Sequence, residues 1–151
     1  MITARSLFTC ALIALSASAQ AQEEPTTPTV VGLHLVSHHF PARPGQRNFN
    51  PGVYVRTSSG LTLGYYRNTL NRNSVYAGFT IERAVTSYAS VALTAGAVTG
   101  YRRNDAGEGF AKSALTPMLA PSLKVGPVRL SYIPGVGVSP SVLHLSAEYA
   151  L

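Results

Sequence analysis

The chain has 151 residues, only 12% of them charged, yet it carries a net charge of +6. The length suits one domain, and so few charges exclude the dense basic surface of a nucleic-acid binder. After the first residues no window of about 20 apolar residues occurs, which excludes a helical membrane span but leaves open a barrel, whose strands are individually weak signals.

Taken in order, Met1 to Arg5 carries one positive charge, Leu7 to Leu15 is apolar, and Ala19-Gln20-Ala21 is a small-x-small site. That pattern predicts a signal peptide over 1–21. Cys10, the single cysteine, falls inside it, so the mature chain is expected to be cysteine-free. Residues 22–29 read as a disordered, proline-bearing tether, and 30–151 as an all-β domain.

Period-two alternation then recurs along the chain. Strand one is expected over Val30 to Phe40, with Val31, Leu33 and Leu35 on one face and Gly32, His34, Val36 and His38 on the other. His38 and His39 would sit at the root of the next loop. Strand two runs from Gly52 to Thr57. A hairpin comes next, from Leu61-Thr62-Leu63-Gly64-Tyr65-Tyr66 through a polar corner to Ser74–Glu82. Its second arm sets Val75, Ala77, Phe79 and Ile81 against Ser74, Tyr76, Gly78, Thr80 and Glu82. Strand five is expected over Thr86 to Tyr101 and strand six over Leu115 to Val125, where Pro117 and Pro121 each lack a ladder amide. Strand seven spans Pro127 to Ile133, and the last, Ser141 to Leu151, puts Leu143, Leu145, Ala147 and Tyr149 on one face.

Eight such strands fit the roughly 130 mature residues as an antiparallel up-and-down transmembrane β-barrel. Short turns at Ser58 to Gly60, Ala84 to Thr86 and Val125 to Pro127 alternate with longer connections at 41–51, 69–73, 102–113 and 134–140. The threading gathers Arg43, Arg47, Arg67, Arg72, Arg102, Arg103 and Lys112 at one rim. Such a collar suits lipid phosphates through charge-assisted hydrogen bonds. At the opposite end Glu82, Arg129 and Glu148 point inward, and Arg129 is expected to bridge at least one glutamate. No spacing among the four histidines makes a metal signature, and no cofactor is called for.

The run Gly126-Pro127-Val128-Arg129-Leu130-Ser131-Tyr132-Ile133-Pro134-Gly135 resembles a Gly-Pro, strand, Tyr-Ile-Pro-Gly segment of the outer-membrane lipid A palmitoyltransferases, PagP-type barrels. Thr94-Ala95-Gly96, Ala77-Gly78-Phe79 and the proline-interrupted strand six are similar to the same family, so the likeness covers most of the mature chain. It implies a monomeric bacterial outer-membrane barrel that moves an acyl chain from a phospholipid to lipid A of lipopolysaccharide.

Residue by residue, the resemblance implies a catalytic trio of His34, the strand-one histidine, as general base, with Asn68 as its orienter and Thr69 as the hydroxyl partner where the family has Asp-Ser. Asn68 orients a ring but neutralises no charge, and Thr69 offers a more crowded hydroxyl. It further implies Arg67, with Arg72, Arg43 and Arg47, as lipid A phosphate contacts. Tyr76, Gly78 and Thr80 would line the acyl pocket, Thr80 limiting chain length, and Pro117, Pro121 and Pro134 would weaken the wall into a lateral gate. The rival expectation is a barrel of the same fold that binds lipid without transfer. A soluble periplasmic lipocalin-like binder is disfavoured by the stripe Leu143, Leu145 and Tyr149, which such a protein would leave bare.

Overall fold

The computed structural model describes residues 28–101, 115–135 and 140–151. The expected signal segment 1–21, most of the tether, and loop residues Arg102, Arg103, Asp105, Glu108 and Lys112 lie outside the described residues. The strands are β1 (Val30–Phe40), β2 (Phe49–Arg56), β3 (Leu61–Arg67), β4 (Asn73–Ala84), β5 (Ala89–Thr99), β6 (Leu115–Val125), β7 (Val128–Ile133) and β8 (Ser141–Ala150). Each pairs antiparallel with the next, and β8 returns to β1, which closes an eight-stranded barrel.

Alternation sorts the residues inside out relative to a soluble domain. Leu33, Val53, Leu63, Val75, Phe79, Ile81, Leu93, Leu119 and Leu130 all stand exposed on the outer wall, Val75 and Ile81 at 55%. The lumen instead buries Arg56, Thr62, Ser74, Thr80, Arg129, His144, Ser146 and Glu148. Its few apolar groups centre on Tyr54, Tyr76 and Val98, with Tyr66, Tyr101 and Met118 packed against them. Gly32 and Gly64 make room for those rings: a Cβ at Gly32 would collide with Tyr54, and one at Gly64 with Tyr76.

Connections alternate as expected, with turns 57–60, 85–88 and 126–127 at the end where β1 begins. This is the lower end. The strand ends from which the longer connections leave lie at the other, upper end. β2 begins at Phe49, three residues before the expected Gly52, and β5 is shorter than expected at both ends. Thr29, placed in the tether, already joins the wall by accepting a hydrogen bond from the Leu151 amide at 2.9 Å.

One expectation fails in the middle of β1. The pairing with β8 runs His34 with Ser146 and then Val36 with Leu145, which leaves Leu35 as an extra, unmatched residue. A bulge of one residue turns every later side chain to the other face. Val36 and His38, expected inside, are exposed, whereas Ser37 and His39 are buried in the lumen.

Candidate functional site

The strands enclose a cavity of about 330 Å³ that extends from the ends of β1 and β3 down to Arg56 and Glu148. Three polar layers line it.

The lowest layer is ionic. Arg129 reaches Glu148 through Nε at 2.6 Å and Glu82 through Nη2 at 2.6 Å. Arg56 contacts the same pair, at 2.5 Å to Glu82 and 3.3 Å to Glu148. Tyr54 donates to Glu148 at 2.7 Å, Ser90 to Glu82 at 2.5 Å, and Ser122 accepts from Arg129 at 2.8 Å. Arg129 therefore bridges both expected glutamates, and Arg56 joins them unforeseen. Buried charges so fully matched form a structural floor, because removing any one leaves its partners desolvated and unpaired.

The middle layer holds His34. Its ring sits among Tyr54, Tyr66 and Tyr76, at centre-to-centre separations of 5.0, 5.3 and 5.6 Å. His34 Nδ1 lies 2.8 Å from His144 Nε2, and His34 Nε2 lies 3.1 Å from the Tyr76 hydroxyl. His144 Nδ1 in turn meets Ser37 Oγ at 2.9 Å. Beside this layer the Thr80 hydroxyl bonds Thr62 and Thr94, each at 2.8 Å. Gly78 faces Ala95 and Gly96 closely across the wall. Thr62, Tyr76, Thr80 and Thr94 line the cavity, so two of the three residues expected in an acyl pocket border it directly.

The upper layer is where the strand-one histidine and Thr69 were expected to meet. The imidazole on Thr69 is His39, whose Nε2 lies 2.9 Å from Thr69 Oγ1. The Leu35 bulge is the reason, since without it His39 would point outward. The bonds of His34 go to His144 and Tyr76 instead. Asn48 interacts with the His39 ring, although Nδ1 has no partner of full hydrogen-bond geometry among the described residues. Tyr101 also reaches the Thr69 hydroxyl, and burial holds its phenol above the ordinary tyrosine range, which keeps it a neutral donor.

Asn68 has a different task from the orienting one expected. Fully buried, it donates to Ser74 Oγ at 3.0 Å and to the Gly100 carbonyl at 3.2 Å. Its Oδ1 accepts the amides of Leu70 and Arg72, both at 2.9 Å. These four bonds use the whole amide to hold the β3–β4 loop that presents Thr69. Asn68 and Thr69 are thus adjacent as expected, but Asn68 acts on the backbone rather than on a ring.

At the rim, the Arg47 amide donates to the Thr69 carbonyl at 3.0 Å and ties the two upper loops together. The Arg47 and Arg67 guanidinium groups converge on one oxygen, Asn71 Oδ1, Arg67 through Nε at 3.0 Å. Arg67 also donates to Asn73 at 2.9 Å. Two guanidinium groups at the rim, Arg47 exposed and Arg67 half-buried, sharing a neutral acceptor retain donors for an anion. Arg72 is held by its backbone to Asn68, and the Arg43 amide bonds Gln46 Oε1 at 2.9 Å. The structure therefore joins Arg47 with Arg67 through Asn71.

The wall is uneven. β6 and β7 pair from Ser122 with Ser131 down to Val125 with Val128, and not above. The next residue of β6 is Pro121, which has no amide to donate, and β7 ends at Ile133, just before Pro134. Pro117 and Pro134 line the cavity at this interruption. His39 and the Ser37–His144 contact were missed by reading the alternation strictly. The adjacent apolar pair Leu35-Val36 was the available signal, because an apolar phase that changes parity marks a bulge.

No protein-family model and no curated protein matches this chain.

Proposed function

We propose that the chain is a bacterial outer-membrane barrel that transfers an acyl chain from a phospholipid to lipid A. Its outer wall exposes aliphatic and aromatic side chains around the whole circumference, an arrangement that is stable in lipid and an association hazard in water. Closure pairs each strand with both neighbours in a medium that offers no hydrogen bonds, and leaves the upper part of the β6–β7 seam as the interruption. The lower end, with its short turns, faces the periplasm, and the arginine-bearing upper end faces the lipopolysaccharide leaflet.

The observation that carries the proposal is the 2.9 Å contact between His39 Nε2 and Thr69 Oγ1 at the mouth of an acyl-sized lumen. A neutral imidazole there takes a proton from a hydroxyl, either that of Thr69 or that of an incoming glucosamine unit, as general base. Tyr101 is a neutral donor for charge that develops on an ester carbonyl oxygen. Arg47 and Arg67 hold a lipid A phosphate beside the mouth. The interruption between β6 and β7 is where a lipid tail enters from the side, with Pro117, Pro121 and Pro134 around it.

A second reading, lipid binding without transfer, has one observation in its favour. All the carboxylate ion pairs among the described residues lie at the floor, so none supports an imidazolium at His39. Expression in a Gram-negative outer membrane, followed by mass analysis of lipid A, separates the two. Transfer predicts an added acyl mass with the wild-type chain and its loss in His39→Ala; loss in Thr69→Ala as well assigns the reacting hydroxyl to Thr69, and its retention there assigns it to the glucosamine unit. Spectra without the added mass in every strain would leave only the binding reading.

A further inference from the structure

Two residues below His39, on the same inward face of β1, a second hydroxyl meets a second imidazole. The rise along a strand puts Ser37 roughly 7 Å deeper in the lumen than His39. Ser37 Oγ lies 2.9 Å from His144 Nδ1, His144 Nε2 lies 2.8 Å from His34 Nδ1, and His34 Nε2 lies 3.1 Å from the Tyr76 hydroxyl. Ser37, His34, Tyr76 and His144 all border the cavity.

We propose that Ser37 is a nucleophile for carboxylic esters of aliphatic acids, with His144 as its general base and His34 as the residue that positions His144. A serine is a weak nucleophile until an adjacent base accepts its proton and a third group fixes that base in the right tautomer. Polarised from Ser37 towards Tyr76, the chain of contacts meets both needs. His144 Nδ1 accepts from Ser37, His144 Nε2–H donates to His34 Nδ1, and His34 Nε2–H donates to the Tyr76 oxygen.

The local structure holds this geometry. Ser37 faces His144 directly across the β1–β8 ladder, and its own amide donates to the Asn48 carbonyl at 2.6 Å. The ring of His34 is wedged among three tyrosines. The adjoining wall sets the substrate class, because Val98, Met118, Ala120, Ile133 and Val142 offer an apolar bed for an alkyl chain. The ionic floor closes the cavity beneath it.

The chemistry balances in two steps. Ser37 Oγ bonds to the ester carbonyl carbon while its proton passes to His144 Nδ1. The carbon–oxygen bond to the alcohol breaks, and His144 returns the proton to the departing alkoxide, which leaves an acyl-Ser37. Water then adds to that carbonyl and gives one proton to His144. The bond from Ser37 Oγ to carbon breaks, the fatty acid leaves, and the proton returns to Ser37. This chemistry uses neither His39 nor Thr69 and goes beyond the transfer proposed at the mouth.

The test uses the full mature chain folded in detergent micelles and an alkyl fluorophosphonate, which reports a base-activated serine by forming a stable adduct. Peptide mapping of the wild-type protein is expected to find the adduct on Ser37. It should persist in His39→Ala, which separates it from the reaction at the mouth, and vanish in Ser37→Ala. In His144→Gln the labelling rate should fall about 100-fold or more, the scale of a general base. In His34→Gln the pH profile of labelling should change along with the rate, which a purely structural role would not produce. Heat-modifiable migration on a gel confirms that each variant is folded. An unmodified Ser37 in the folded wild-type chain, an adduct on Thr69 instead, or an unchanged rate in folded His144→Gln overturns the proposal.

Discussion

At the lower end of the lumen Arg56, Glu82, Arg129 and Glu148 satisfy one another, whereas at the upper end polar capacity is left over. Buried atoms of His39, Asn50 and Thr116, namely Nδ1, Oδ1 and Oγ1, have no hydrogen-bond partner among the described residues. Both ends are polar and enclosed by the same strands, so burial does not distinguish them. A polar group whose partners are all supplied by the chain contributes to holding the chain together. One that keeps a donor or acceptor in reserve has something to offer another molecule, at some expense in stability. The difference predicts that substitutions at the floor act on folding and those at the mouth act on chemistry.

The largest effect on folding is expected at the floor. Arg129→Met leaves Glu82 with Arg56 and Glu148 with Arg56 and the more distant Lys124, and should destabilise the barrel by about 3–5 kcal/mol, read from urea unfolding in micelles. An unfolding midpoint equal to that of the wild type would show that the floor is not a structural plug. Next comes the waist. Gly64→Ala drives a Cβ into the Tyr76 ring and should reduce stability by about 1–3 kcal/mol while weakening the contact between Tyr76 and His34. At the mouth, His39→Ala removes one hydrogen bond, for a loss of about 0.5–1.5 kcal/mol, but should reduce acyl transfer about 100-fold or more. The smallest effect on folding belongs to the rim. Arg47→Ala with Arg67→Ala should leave stability within about 0.5 kcal/mol while weakening lipid A binding and its dependence on salt, measured by titration in mixed micelles.

Where the period of two is unbroken, sequence and structure agree residue by residue. β4 places Val75, Ala77, Phe79 and Ile81 outside, and Tyr76, Thr80 and Glu82 inside, as their alternation indicates. β6 has the expected bounds, Leu115–Val125. Turn lengths also match the spacing of the alternating segments, so the topology was legible. β1 was not, because a bulge is a local exception to the period and inverts every side chain after it. His34 lies before Leu35 and keeps its inward face; His38 and His39 lie after it and exchange faces. Arg56 was missed for a different reason. A short strand such as β2 gives a clear alternation but no indication of depth, and only the register with β3 and the closure onto β8 bring Arg56 beside Glu82 and Glu148.

Asn68 illustrates the limit of reasoning from residue type. An amide beside a hydroxyl suggests an orienting group, and the sequence holds nothing that favours a ring over a loop as its partner. The β3–β4 loop has backbone amides at Leu70 and Arg72 that face inward after the chain turns, and Asn68 satisfies them both. Unpaired buried amides outrank a side-chain contact in what a local polar group must serve, since each unpaired one costs about 1–3 kcal/mol.

The inward turn of His39 at the Leu35 bulge underlies both the mouth and the deeper Ser37 site, and it can be measured directly. Single-cysteine variants His38→Cys and His39→Cys, spin-labelled and placed in lipid bilayers, report their surroundings by collision with dissolved oxygen or with a water-soluble nickel chelate. The bulged strand predicts strong oxygen collisions at position 38 and weak ones at 39, where the label faces the lumen. The reverse pattern, with 39 in contact with lipid and 38 shielded, would contradict it.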